Sequence, residues 1–239
     1  MIQLGLPNLE GWILAFGGGT VATASTEEYL EAIYKMEDEG ALPISARLAE
    51  RLHVSAPSVA EMIKKLARTE YVTIGPGKEI SLTKKGRFIA EALVRRHRLS
   101  ERLLTDVLGL QWDVVHDQAC LLEHTISPEM EEGMIRALGN PATCPHGFPI
   151  PGVAPGSKTG ISGVTRLSQA TEGTDYRVER VAEEDASFLQ YVGQLGLVLG
   201  AELFFLERAP FDGPLTLSVN GKTVAVGLEA ASRIWVSAA

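Results

Sequence analysis

The sequence is poor in cysteine and aromatic residues and has no long apolar run. Two cysteines, Cys120 and Cys144, cannot build a disulfide framework. That excludes a disulfide-stapled secreted scaffold and makes the cytoplasm the expected compartment. No stretch approaches the ~18–20 consecutive apolar residues that cross a bilayer, so no membrane association is expected. Gly-x-Ser-x-Gly, His-Glu-x-x-His and the P-loop are all missing. Gly17-Gly18-Gly19 lacks the strand and helix context that would let it cradle a phosphate. With no evident nucleophile or general base, neither an enzyme nor a small organic substrate is expected. A metal-dependent hydrolase carrying a basic module finds no support beyond its metal donors. Basic residues are also missing before Lys35. The apolar stretch from Trp12 to Ala24, with Ala22-Thr23-Ala24, therefore lacks the charged start of an export signal. Residues 1–25 are expected to be a loosely ordered extension.

What is present suits a globular protein. The chain has 239 residues, 45% hydrophobic and 22% charged, enough for real cores in two or three small domains. The net charge of −8 conceals an asymmetry: residues 43–103 carry thirteen Lys and Arg against six acids, between acidic blocks. A basic block of this kind marks a DNA-binding module or a solvated helix face.

Periodicity supports the first reading. From Thr26, a plausible N-cap, Tyr29, Leu30, Ile33 and Met36 keep one helical face as far as Gly40. Pro43 to Leu52 reads as a short second helix. Ser55-Ala56-Pro57-Ser58 opens a third, with Val59, Ile63 and Leu66 inward. Tyr71–Ile74, the turn Gly75–Lys78 and Ile80–Leu82 read as a hairpin. Together these predict a winged helix-turn-helix over residues 26–90. Ser55, Pro57 and Ser58 would meet the DNA at the start of the third helix, with Glu61 facing the groove or solvent. Arg47, Lys64, Lys65, Arg68 and the wing residue Lys78 would hold phosphates.

A long helix from Thr83 to near Gly109 and two more, Trp112 to Ser127 and Pro128 to Leu138, predict a helical unit at 91–140. Its apolar faces suit a homodimer reading a palindromic operator in double-stranded DNA. Residues 141–160, rich in Pro and Gly, predict a tether. Residues 161–239 predict a small SH3-like β-barrel: strands at Ile161–Leu167, Tyr176–Val181, Glu202–Glu207, Leu215–Val219, Lys222–Val226 and Ile234–Val236, a helix at Asp185–Gln194, and a hairpin turn at Asn220-Gly221. The fold class is mainly α with a β C-terminal part.

The chemistry concentrates on consecutive helices. His116, Cys120, Glu123 and His124, at i, i+4, i+7 and i+8, share one face, and His97 and Glu101 are four apart on the preceding helix. Imidazole, thiolate and carboxylate converging from one side suit a divalent transition metal; a buried structural His/Cys cluster in a metal-independent winged-helix regulator is the alternative. Cys144 and His146, with no Cys-x-x-Cys partner in their loop, read as structural.

These stretches resemble one known family. Thr26-Glu27-Glu28-Tyr29-Leu30, the run from Ile44 to Leu52, that from His97 to Leu104, His116-Asp117-Gln118-Ala119-Cys120 with Glu123-His124, and Gly147-Phe148-Pro149-Ile150-Pro151-Gly152 are similar to the diphtheria-toxin-repressor and manganese-transport-regulator family of metal-dependent transcriptional repressors. The resemblance covers about nine-tenths of the chain. It implies a ferrous-transport-A-like barrel and two metal positions. A primary one would use Glu28, Cys120, Glu123 and His124. An ancillary one would use His97, Glu101 and His116, completed from the barrel near Glu183, Glu184 or Asp185, and Gln190. Iron-responsive members have methionine where this chain has Glu28. Manganese-responsive members have aspartate there and glutamate in place of Cys120. The mixed set implies Mn(II) as the preferred ion and Fe(II) as the alternative, with Co(II), Zn(II) and Cd(II) able to substitute in vitro. A metal joining Glu28 to the Cys120–His124 helix would clamp the DNA-reading unit to the dimerising unit and so favour operator binding.

Overall fold

The computed structural model describes residues 24–154 and 163–239. Residues 1–23 of the expected N-terminal extension and 155–160 of the expected tether lie outside them; Ala24 and Ser25, expected in the extension, begin the first helix. The first unit contains α1 (Ala24–Asp38), α2 (Ser45–Arg51), α3 (Ala56–Arg68) and the antiparallel hairpin β1 (Val72–Ile74) and β2 (Ile80–Leu82). Leu30, Ile33, Leu48, Val59, Ile63, Leu66 and Ile80 bury their side chains in one core between these elements, as a winged helix requires. Ser55 caps α3 by accepting from the Ser58 amide at 3.3 Å. Thr26, expected as the cap of α1, instead lies buried within the helix, which already runs from Ala24.

α4 (Lys84–Asp106) starts at the Thr83 cap, whose hydroxyl accepts from the Gly86 amide at 3.1 Å. Gly86 has to be glycine, because a Cβ there would stand 2.0 Å from the Tyr71 carbonyl oxygen. α5 (Val115–Leu122) and α6 (Pro128–Ala137) pack beside α4. α5 is shorter than the periodicity predicts: a turn at Gln111–Val114 precedes it, and the chain turns again at Thr125.

Residues 141–154 are packed, with Cys144, His146, Phe148 and Ile150 all buried. The loop is closed by Cys144 N–H to Phe148 O at 2.8 Å and fastened to the next unit by Val181 N–H to His146 O at 3.0 Å. Gly147, at φ +90, permits this approach; a Cβ would fall 2.0 Å from the Glu179 carbonyl oxygen.

The C-terminal unit is a six-stranded antiparallel sheet in the order β3-β8-β4-β5-β6-β7. Its strands are β3 (Val164–Arg166), β4 (Asp175–Val181), β5 (Glu202–Arg208), β6 (Leu215–Val219), β7 (Lys222–Val226) and β8 (Ile234–Ala238), with helices α7 (Ala186–Gln194) and α8 (Leu228–Ala231). Its SH3-like core is apolar, from Leu167 to Val236. Asn220 and Gly221, at φ 51 and 76, form the expected hairpin turn.

This sheet docks on the end of α1. Arg98 of α4, 1% exposed, binds Asp38 at 3.0 Å and donates to the Pro149 carbonyl at 2.6 Å. Arg180 of β4 donates to the Asp38 carbonyl at 3.3 Å, and both guanidinium groups lie over the Phe148 ring. Arg51 of α2 bridges Glu39 and Glu184. α1 thereby meets α4 and the sheet at one place.

Candidate metal centre

The donors on α4 and α5 meet in the interior next to this junction. His97 is fully buried and donates from Nδ1 to Glu123 Oε2 at 2.6 Å. Its Nε2 lies 3.1 Å from His116 Nδ1 and 3.3 Å from Glu101 Oε1. Cys120 Sγ is 3.9 Å from His97 Nδ1 and 3.8 Å from His116 Nε2. The helical spacing of four explains why His97 and Glu101, and His116 and Cys120, each present two donors to the same space.

Glu101 is the focus. It is fully buried, and one oxygen lies within 3.5 Å of three imidazoles: His97, His116 and, from the 141–154 loop, His146. Neither carboxylate oxygen accepts a hydrogen bond of good geometry from the described residues. A buried carboxylate left in this way is costly unless a cation meets it. Cys144 and His146 complete a second buried group with Glu101 and Glu183, and the four donor atoms lie within 4.8 Å of one another. Cys144 Sγ is 3.6 Å from Glu183 Oε2. His146 Nε2 donates to the Trp112 carbonyl at 2.8 Å, leaving Nδ1 directed at the carboxylates. A ring fixed from behind by a carbonyl is the arrangement of a metal-binding histidine. The donors therefore fit a divalent ion of intermediate hardness.

The electrostatics show how strongly the cluster demands positive charge. Burial opposes ionisation of Glu101, yet His146 and His97 hold it well below the usual carboxylate range. Burial likewise opposes protonation of His116, but Cys120 and Glu101 push it up to about 9. Burial raises the Cys120 thiol while His116 and His97 bring it down to about 7. Against burial, the Lys35 ammonium brings Glu183 down to about 2. Metal-free, imidazolium and ammonium groups supply the charge that bound ions would supply instead.

Not every expected ligand is in this cluster. Glu28 is exposed and lines the wall of a cavity of about 570 Å³ that it shares with Cys120 and His116. Its neighbours on α1 come closer: Glu27 binds His124 Nδ1 at 3.1 Å, and Glu31 groups with His97 and Glu123. His124 Nε2 lies 3.4 Å from Glu123. On the sheet side Glu183 faces the donors, whereas Glu184 pairs with Arg51, Asp185 caps α7 and binds Arg233, and Gln190 binds Asp113. Asp185 has one oxygen on a backbone amide and the other on Arg233, and Glu184 is held by Arg51, so Glu183 is the carboxylate of the three that turns to the donors. Sequence reasoning sets Cys144 and His146 aside as structural and does not single out Glu31; the fold brings all three beside the other donors, and the Cys-x-His spacing is the only local signal for the first two.

On the DNA side, Arg47, Ser55, Pro57, Ser58, Glu61, Lys64, Lys65, Arg68 and Lys78 are all exposed. Ser58, Glu61, Lys65 and Arg68 line a groove of about 420 Å³ together with Glu28 of α1. The face of α3 opposite its core is therefore free, basic at its C-terminal end and hydroxyl-bearing at its N-terminal end.

A winged helix with a free basic face, joined through a buried His/Cys/Glu cluster to helices and an SH3-like sheet, defines a metal-responsive regulator of transcription. Known proteins agree. Residues 22–80 match the N-terminal DNA-binding domain of iron-dependent repressors, 83–152 their metal-binding and dimerisation domain, and 165–238 the FeoA domain. The iron-dependent repressor IdeR of Mycobacterium tuberculosis is 40% identical over 207 residues, 82% of this chain and 89% of that protein. The diphtheria toxin repressor of Corynebacterium diphtheriae is 36% identical over 209 residues, 84% and 91%. A manganese-dependent transcriptional repressor solved in complex with manganese superposes with a TM-score of 0.81 at 35% identity, over 90% of this chain and all of that one. The chain belongs to the iron-dependent repressor family of metal-dependent transcriptional repressors, which are not enzymes.

Proposed function

We propose that the chain is a cytoplasmic homodimer that represses manganese or iron homeostasis genes by binding a palindromic operator when its metal sites are filled. The observation that carries this reading is Glu101, buried among three imidazoles with no hydrogen bond of good geometry from the described residues. The primary position draws on Glu28, Cys120, Glu123 and His124, with His97 beside Glu123. The second draws on Glu101, Cys144, His146 and Glu183, with His116 beside Glu101. Manganese, with iron as the alternative, would supply divalent charge that ties α1 and the sheet to α4 and α5; Co(II), Zn(II) or Cd(II) could stand in at the same donors. Relatives bear on the choice of ion: one solved structure is a manganese-dependent repressor with manganese, and ScaR has been solved with zinc and with cadmium.

The residues do the rest. Glu27 and Glu31 place α1 against His124 and His97, so the attitude of the winged helix depends on the charge of the cluster. The exposed Leu121, Leu122, Val107, Leu108 and Met130 on and around α4–α6 supply an apolar face for the second subunit. Ser55 and Ser58 at the start of α3 would meet phosphate, and Lys64 and Lys65 would neutralise it. The test is capture of genomic fragments in chelator and then in Mn²⁺ at fixed salt, with Glu123→Ala alongside. Metal-dependent capture that disappears in the variant supports the reading. Equal capture in chelator would favour a metal-independent regulator instead.

A further inference from the structure

The cluster already contains one cation of its own. Lys35 projects from α1 into the space between the two proposed metal positions and is 4% exposed. Its Nζ lies 2.9 Å from Glu31 Oε1 on the same helix and 3.2 Å from Glu183 Oε1 on the sheet. Each of these carboxylates also belongs to a group of donors. Glu31 stands 4.0 Å from His97 Nδ1 and groups with Glu123, and the other oxygen of Glu183 faces Cys144.

We propose that the Lys35 ammonium occupies a third cation position, between Glu31 and Glu183, which a divalent ion would otherwise fill. The geometry supports the substitution. Ammonium-to-oxygen distances of 2.9 and 3.2 Å exceed carboxylate–metal distances of roughly 2.0–2.2 Å by only about 1 Å, so small rotations of two side chains would suffice. Charge supports it as well: a buried carboxylate that loses an ion-pair partner carries a heavy desolvation cost, and Lys35 is the nearest cation to two of them at once. The tethered ammonium thus keeps α1 and the sheet joined whether or not metal is present, and limits exchangeable ions to two per chain.

This inference rests on the two-site reading above, and the count of bound ions separates the two. Full-length protein, stripped with chelator, is dialysed against buffered Mn²⁺ and its manganese measured by elemental analysis. Wild type should hold two ions per chain. Lys35→Ala, which removes the ammonium and opens its space, should hold three. Lys35→Met, which removes the charge but fills the space, should stay at two, as should Glu31→Gln/Lys35→Ala. A folded Lys35→Ala with two ions overturns the inference alone, and so does a count of three in Lys35→Met or in the double variant. A wild-type count of zero overturns both readings. Should Lys35→Ala be unfolded in chelator, refolding in Mn²⁺ with three ions supports the proposal; failure to refold in Mn²⁺ while Lys35→Met folds overturns it.

Discussion

His146 holds the carbonyl oxygen of Trp112 through its Nε2–H at 2.8 Å. A carbonyl can only accept, so the hydrogen on Nε2 is fixed and Nδ1 is the nitrogen that faces Glu101 and Glu183. His146→Ala is expected to lower bound Mn²⁺ from two ions per chain to one, weakening the second site by at least ~10–100-fold, the scale seen when even the outer partners of a ligand are removed. Elemental analysis after dialysis checks this, and an unchanged count would remove His146 from the ligands.

Metal uptake should release protons. His116 in the metal-free chain is pushed up to about 9, Cys120 and Glu101 outweighing burial, so it is protonated at pH 7. A metal ligand must give up that proton. Affinity for Mn²⁺ therefore rises with pH until about 9. Calorimetry in two buffers of different ionisation enthalpy should show proton release at pH 7; identical apparent enthalpies would contradict the assignment.

Metal-free stability follows a different rule. A histidine raised from 6.5 to about 9 contributes fully below 6.5 and loses that contribution as pH climbs to about 9. A thiol lowered from 9.0 to about 7 contributes fully above 9.0 and loses it as pH falls to about 7. Between pH 7 and 9 the two trends oppose each other in wild type. Cys120→Ser removes the thiol trend together with the part of the His116 rise that Cys120 causes, and leaves the part that Glu101 causes. The difference in Tm between the metal-free wild type and the variant should therefore widen as pH rises from 7, and a constant difference would show that Glu101 alone does not hold His116 above its ordinary value.

Neutralisation of phosphates by α3 predicts a salt effect. Removing one lysine that neutralises a phosphate should reduce the slope of log K against log salt by about 0.9. Lys64→Ala and Lys65→Ala should each weaken operator and random DNA alike and flatten the slope by that amount in titrations at several salt concentrations. Variants with unchanged slopes would place those side chains away from the backbone.

Leu121, 72% exposed on α5, tests the dimer. Burying an unpaired charge at an interface costs roughly 3 kcal/mol or more. Leu121→Glu should sediment as a monomer and lose high-affinity operator binding while keeping both metal ions. A dimeric variant would move the interface elsewhere.

Much of this architecture is legible in the sequence because local chemistry and global packing agree. Ser55-Ala56-Pro57 stops and starts helices, Thr83 opens α4, and Asn220-Gly221 closes a hairpin by mechanisms that act within a few residues. The helical half of the candidate site is legible for the same reason: His97 and Glu101, or His116 and Cys120, are neighbours by helix geometry. Glu183 and His146 lie on a strand end and a loop, brought to Glu101 only by tertiary packing that no spacing encodes. Choosing among Glu183, Glu184 and Asp185 requires knowing which carboxylate is spent on a helix cap and which on Arg51. Lys35 escapes a sequence reading because a lysine among acids on a helix looks like a solvated i,i+4 pair, and only its burial shows otherwise.

The meeting of Asp38, Arg98 and Arg180 over Phe148 bears on how such proteins can be recombined. Asp38 ends the first helix, Arg98 lies mid-way along the dimerising helix, Phe148 belongs to the loop and Arg180 to the sheet. A chimera that exchanged the sheet alone would strand a buried carboxylate and a buried guanidinium of the host. The transferable unit is therefore set by this four-residue knot, and a graft succeeds when all four travel together.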